Sequence, residues 1–361
     1  MSKQGFRATG YSWRLYCGSK VIERNLQEAV HRSGAMRAFV VCSPSINRRT
    51  DIIQRMRAVL GQRYAGVFDG IEKDSTYVSV RAAKQAAIEA KADMLIAVGV
   101  GSVIVATRAV AIFMAERGDP FKIMTQYPEG KPAYSPRLLA PKPPIINVPT
   151  TPNSAMNRAG TGLKNPDLDQ RMEYFDPKTR PQAVFLDEDA LLSTPLNLIR
   201  STATTVFAGL IGAMAETEIN PLAAADRDHA FHLAYHAYQR LAEEPRNPSL
   251  RTDLAIAASC RIAQRMTDFA DFGAVLFPAI TRSRPRSMCA TLISDRVSRP
   301  RPFMPRKSGL RRRLTCNRRD RWPSPLGSGA TGWTLGRPQI QWPTGWMRST
   351  RAPECRSGSA N

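Results

Sequence analysis

The spacing of apolar and polar positions changes character once along this chain. Before about residue 190, short apolar runs recur with helical stretches between them. Met36 to Cys42 (MRAFVVC), Tyr64 to Phe68, Met94 to Val98, Ile145 to Val148 and Ala183 to Leu186 are each too short for a helix and read as buried strands. Between them, Asp51 to Leu60 and Val78 to Lys91 (VSVRAAKQAAIEAK) place apolar residues at helical spacing. Strands alternating with amphipathic helices predict an α/β unit, a parallel sheet covered on both faces. From Leu191 to about Phe272 the pattern is helical throughout. Asn220-Pro221 marks a helix start, since proline fits the first turn. The expected division is an α/β unit over residues 1–190, an all-α unit over 191–278 and an irregular segment over 279–361.

The stretch from Asp93 to Glu116 (DMLIAVGVGSVIVATRAVAIFMAE) organises the first unit. A strand runs into Gly99 and Gly101, with Ser102 as candidate N-cap, and then into a helix. Strand, tight turn and helix together offer free backbone N–H groups and a positive helix end to an anion, most often a phosphate. A plain strand-to-helix turn accounts for the same residues equally well. Ligands of parallel sheets bind beyond the carboxyl ends of the strands. Three loops are expected to meet there: Ser43–Arg49, Gly99–Ser102 and Pro149–Asn157.

Composition changes the picture mainly at the C-terminal end. The 361 residues carry a formal net charge of +22, but residues 281–361 alone hold 18 of the 52 Lys and Arg and only 3 of the 30 Asp and Glu. Four of the five tryptophans (322, 333, 342, 346) lie in this stretch as well. One interpretation is a basic arm whose arginines neutralise phosphates while the tryptophans stack on bases. The other is a GC-rich gene read out of frame from about residue 276, which yields Arg, Pro, Ser, Gly and Trp and leaves the helical unit incomplete. The six cysteines are scattered without a CxxC pair, which favours a reducing, cytoplasmic setting. No run approaches the ~20 apolar residues of a membrane span.

The order of motifs is more specific than any one of them. AVGVGSVIVATRAVA, a proline-rich loop over residues 126–144, INVPTTPNSAMNRAG and AVFLDEDALLSTP, followed by helices, resembles the iron-containing (group III) alcohol dehydrogenase family, nearest its maleylacetate reductase branch. The resemblance covers about residues 10–275. It implies an N-terminal dinucleotide-binding domain, a C-terminal helical domain and a cleft between them. It implies that Gly99, Gly101 and Ser102 hold the pyrophosphate of NAD or NADP, that Thr150 and Thr151 lie along the cofactor with Ser154 close by, and that Ser43 faces the adenosine ribose. Ser43 lacks the carboxylate that selects NAD, and Arg48 and Arg49 stand nearby, so NADP is expected to be tolerated, although a solvated helix start accounts for the two arginines equally well.

The chain departs from the family's pattern in three places. Val100 replaces the middle glycine of the turn, where a β-branched residue strains any positive φ. Val105 stands for an aspartate and Arg108 for a lysine. Gly209 and Ala213 occupy the places of a metal-binding aspartate and histidine, and Leu276 that of a further histidine, so the family's iron or zinc is not expected to bind. His229, His232 and His236 lie within two turns of one predicted helix. His232 and His236 could share a metal ion or form an ordinary helix face. Asp187, Glu188 and Asp189 read either as an acid/base cluster or as a turn with a helix cap. Lys164 and Arg171 fall in a polar hairpin or surface loop.

The resemblance thus implies an NAD(P)-dependent oxidoreductase transferring hydride to or from a small alcohol, aldehyde or oxo acid. Activity is expected to be impaired or metal-independent, and a homodimer is one of the oligomeric states the sequence leaves open. The alternative is a catalytically inactive nucleotide-fold protein with a nucleic-acid-binding arm.

Overall fold

The computed structural model describes residues 12–215 and 219–267. They fall in the first of two compact units, Met1–Arg284; the second, Pro285–Asn361, lies outside the described residues. So do Leu276, the basic segment and the expected incompleteness of the helical part.

In chain order the elements are β1 (Arg14–Gly18), α1 (Val21–Arg32), β2 (Ala38–Cys42), α2 (Pro44–Arg49), α3 (Ile52–Leu60), β3 (Tyr64–Phe68), α4 (Tyr77–Glu89), β4 (Met94–Gly99), α5 (Gly101–Ala115), α6 (Pro120–Ile123), β5 (Ile145–Pro149), β6 (Gly160–Leu163), β7 (Met172–Phe175), β8 (Ala183–Asp187), α7 (Glu188–Leu192), α8 (Leu196–Met214), α9 (Pro221–Arg240) and α10 (Pro248–Thr267). Six strands form one sheet in the order β1-β8-β5-β4-β2-β3, and β6 pairs with β7 alone. Every pairing in the large sheet is parallel.

Successive side chains of a strand point to opposite faces, and the two hydrophobic clusters divide the sheet accordingly. Phe39, Val41, Leu95, Ala97, Val184 and Leu186 face one cluster, with α4, α5 and the C-terminal helices. Val40, Ile96, Val98, Ile146 and Phe185 face the other, with α1 and α3. Burial on both faces explains why these strands read as continuous apolar runs. The first cluster continues through Leu191, Ile199 and Leu210 into Ala230, Ala234, Leu254 and Ala258, so helices α7 to α10 share one core with the sheet.

The strand pattern was legible to within a residue or two. Met36 is not in β2; it is exposed, and its N–H and that of Arg37 are held by the Asp93 carboxylate at 2.9 and 2.8 Å. β1 had no counterpart in the pattern, because an edge strand with three of its five residues exposed carries no apolar run. The polar excursion is the antiparallel β6–β7 hairpin, with Lys164 bridging to Thr76 and Arg171 facing Asp74. Asn220 caps α9, its Oδ1 accepting from the Ala223 N–H at 3.0 Å, with Pro221 in the first turn. No described helix is long and apolar enough to cross a membrane.

Candidate functional site

The chain goes from β2 outward to β3 and returns on the other side of β2 to form β4. Neighbouring loops diverge at such a switch and leave a crevice at the carboxyl edge. Cys42 lies opposite Val98, and Gly99 opposite Pro149, so the loops after β2, β4 and β5 leave the sheet side by side.

Gly99 makes the turn. Its φ is +148°, and a Cβ there would come within 3.0 Å of Val103 Cγ2. Val100 follows at φ −77° and ψ 175°, extended backbone open to any residue. The strain expected from a valine in the middle of the turn is therefore absent, because the positive φ falls one residue earlier. Ser102 is not the N-cap. Val100 occupies that place without a side-chain bond, and α5 begins at Gly101. The first bonds close from the Val103 and Ile104 N–H groups to the Val100 carbonyl, at 3.0 and 3.3 Å. The N–H groups of Gly101 and Ser102 precede them, as expected for the start of a 15-residue helix. The Ser102 carbonyl accepts the Ser75 hydroxyl at 2.7 Å. Ser75 is buried and left-handed, with φ 56°. Sequence reasoning missed this support, since nothing in Lys73-Asp74-Ser75-Thr76 marks a contact 27 residues away.

The loop after β5 lies against this turn. The Thr150 N–H donates to the Gly99 carbonyl at 3.0 Å. Thr150 and Thr151 are both fully buried, and neither hydroxyl has a partner. A buried polar group left without a partner costs about 1–3 kcal/mol, so these two hydroxyls mark a place where a polar ligand or water belongs. Asn153 shapes the next turn, donating to the Thr151 carbonyl at 2.9 Å and accepting from the Ala155 N–H at 3.1 Å. A Cβ at Gly101 would stand 3.8 Å from Asn153, so the two loops are in van der Waals reach. Ser154 is half-buried in the same loop.

Arg108, two turns along α5, is buried, with one terminal nitrogen donating at 2.7 Å to the carbonyls of both Ala155 and Arg158. Burial, with the Arg158 and Arg180 cations nearby, pulls its pKa down to about 9, which leaves it charged at neutral pH. Ser43 lies one strand away, at the end of β2. Its hydroxyl sits 3.0 Å from that of Ser45, and Arg48 and Arg49 end the short α2 on the surface. The structure thus joins Gly99 to Thr150 directly, sets Gly101, Ser102, Thr151 and Ser154 next to them along the same two loops, and leaves Ser43 at the flank.

Residues 13–188 match the family model for iron-containing alcohol dehydrogenase. Over that span the chain is similar to the iron-containing alcohol dehydrogenases. A maleylacetate reductase of Cupriavidus pinatubonensis is 28% identical over 209 residues, 58% of this chain and 49% of that protein. A solved maleylacetate reductase from Rhizobium sp. strain MTP-10005 aligns with a TM-score of 0.58 at 21% identity, covering 72% of this chain and 65% of the other. A sulfoacetaldehyde reductase from Bifidobacterium kashiwanohense, solved with NAD+, gives 0.64 at 17%, covering 73% and 68%. At these identities the solved structures show the fold. The chain spans about half the length of the curated relatives it matches.

The resemblance places two metal ligands at Gly209 and Ala213. Gly209 and Ala213 lie one turn apart on α8 and carry no donor atom. Among the described residues, no three His, Cys, Asp or Glu side chains are grouped to hold a metal ion. His229, His232 and His236 are exposed on α9, and the rings of His232 and His236 stand 6.1 Å apart. The carboxylates after β8 form a cap and an ion pair. Asp187, fully buried, accepts from the Ala190 N–H at 3.1 Å and lies 3.3 Å from Arg55, which also meets Glu23 at 2.6 Å and Asp189 at 3.5 Å. A separate hollow of about 480 Å³, between α4 and the far end of α5, has Tyr77, Arg81 and Arg117 in its wall.

Proposed function

We propose that this chain binds NAD or NADP at the carboxyl edge of its sheet and acts as an oxidoreductase on a small alcohol, aldehyde or oxo acid. The observation that carries the proposal is the pair of buried, unpartnered hydroxyls on Thr150 and Thr151, tied by the Thr150 N–H to the carbonyl of the glycine turn. A dinucleotide supplies what this edge lacks. Its pyrophosphate oxygens suit the free N–H groups of Gly101 and Ser102 at the positive end of α5. Its ribose and amide groups suit the two threonine hydroxyls, and Ser154 stands at the exit of the same loop. When bound, the cofactor supplies or accepts a hydride. Gly99 allows the close approach, and the buried loop excludes water from one side of it. Ser43 presents no carboxylate to repel a 2′-phosphate, so NADP is tolerated beside NAD. With Gly209 and Ala213 in the metal-binding places, no step is routed through a metal, and turnover is slow or takes its polarising group from elsewhere.

The test is a titration of the intact protein with NADH and with NADPH, followed by nicotinamide fluorescence. Saturable binding is expected, weakened at least tenfold in the double variant Thr150→Val/Thr151→Val while the circular dichroism stays unchanged. If the folded protein binds neither nucleotide, the proposal is overturned.

A further inference from the structure

Arg108 is a charged side chain in a place where an apolar one would be cheaper to bury. It is 1% exposed, and no carboxylate faces it among the described residues. Its Nε has no partner at all. What it does have is a fork: one terminal nitrogen reaches the carbonyls of Ala155 and Arg158, both at 2.7 Å. Burying a cation without an acid is unfavourable unless dipoles replace the water, and two main-chain carbonyls do so here.

The position of Arg108 on α5 gives this contact a consequence. Residues seven apart lie on one face of a helix, so Arg108 and Gly101 look toward the same neighbour. That neighbour is the loop after β5. At its near end, Asn153 stands in van der Waals reach of Gly101. At its far end, Ala155 and Arg158 are held by Arg108. The loop therefore meets α5 at two places, two turns apart. Further bonds hold the same stretch from other sides: Asn147 Nδ2 donates to the Met156 carbonyl at 2.7 Å, and the Thr179 hydroxyl to that of Ala159 at 2.8 Å. Arg108 ties the segment to the helix whose first turn carries Gly101 and Ser102, and just past the segment the Thr161 hydroxyl donates to the Val105 carbonyl of the same helix at 2.6 Å.

We propose that Arg108 is a positioning residue, a clamp between α5 and the Ala155–Arg158 carbonyls that fixes the Thr150–Ser154 segment against the glycine turn and so sets cofactor affinity. The affinity part rests on the function proposed above, whereas the clamp does not. Planarity matters as well as charge. A guanidinium places its N–H groups in one rigid fork, while an ammonium at the end of a flexible stem can satisfy the same carbonyls only by giving up rotamer freedom.

The test uses Arg108→Gln and Arg108→Lys in the full chain. Hydrogen exchange of peptides covering residues 150–159, measured without cofactor, is expected to rise at least tenfold in R108Q and by less in R108K, with the β4 amides unchanged. NADH affinity is expected to fall about tenfold in R108Q and to recover partly in R108K. Unchanged exchange in R108Q overturns the clamp. Faster exchange with unchanged affinity overturns the positioning role. If the unaltered protein fails to bind NADH, the function proposed above falls while the exchange arm still decides the clamp. If R108Q does not fold, R108K decides instead, and exchange at the parent rate overturns the clamp.

Discussion

The sheet and the helices over it are built by different rules. Every residue of β2, β4, β5 and β8 is buried, and large side chains fill both faces. In α9 the buried positions are Ala223, Ala230, Ala234 and Ala237, and small residues of this kind let helices approach closely. Around that alanine seam, Ile211 and Met214 of α8 and Leu222 of α9 remain 52%, 41% and 58% exposed. The candidate site sits on the first kind of construction. Gly99 and Thr150 hold their places because the strands beneath them are locked in register from both sides. The helices touch that site at its margin, where Asn157 Nδ2 reaches the Ser259 carbonyl of α10 at 3.5 Å.

Core truncation separates the two regions most strongly. Ile96→Ala, in the fully buried β4, is expected to cost about 2–5 kcal/mol in urea unfolding. Ile211→Ala, on the exposed side of α8, is expected to stay within about 0.5 kcal/mol. Equal losses would mean that Ile211 is covered in solution and that the contrast is false. The glycine turn sharpens the comparison at smaller scale. Gly99→Ala is expected to cost about 1–3 kcal/mol, because both its φ and the 3.0 Å approach to Val103 oppose a side chain. Gly101→Ala meets nothing closer than 3.8 Å, so thermal unfolding should show stability unchanged or slightly raised while NADH affinity falls.

The smallest effect is electrostatic. The bond from Arg55 holds the Glu23 carboxyl below its usual range. Its contribution is present above the unfolded-state pKa and is lost as pH falls through the lower folded value. Because Glu23 is largely in solvent, the amount is about 0.2–1 kcal/mol. Stability measured from pH 6 down to pH 3 should therefore fall less steeply in Glu23→Gln than in the parent.

The contrast also explains what could be read in advance. Strands buried on both faces announce themselves as apolar runs, and four of the five expected strands lie within a residue of their observed bounds. β2, read two residues early, and β1, not read at all, fail at exposed positions where burial no longer shapes composition. The cap at Asp187 was legible as one of two alternatives because capping is local. The turn was misread by one residue. Its φ depends on how strand and helix join, which a pair of glycines does not specify. Thr150 and Thr151 were named only through family resemblance, since no periodicity distinguishes a threonine facing a ligand from one in a turn. Ser75 and Arg108 were invisible as site-shaping residues for a common reason. Each acts on main-chain carbonyls, and a carbonyl leaves no mark on the sequence of its owner.

The edge position of β1 bears on how the chain is made. Arg14 lies opposite Ala183, so β1 pairs, among the described strands, only with the last strand of the sheet. Until Ala183–Asp187 has emerged, Arg14–Gly18 has no ladder to join, whereas β2, β3 and β4 can assemble from nearby sequence. A partner so distant along the chain raises the contact order and places closure of that edge late in folding. During synthesis β1 thus stays loose, open to pairing with a neighbour on the same polysome, until β8 arrives to take it.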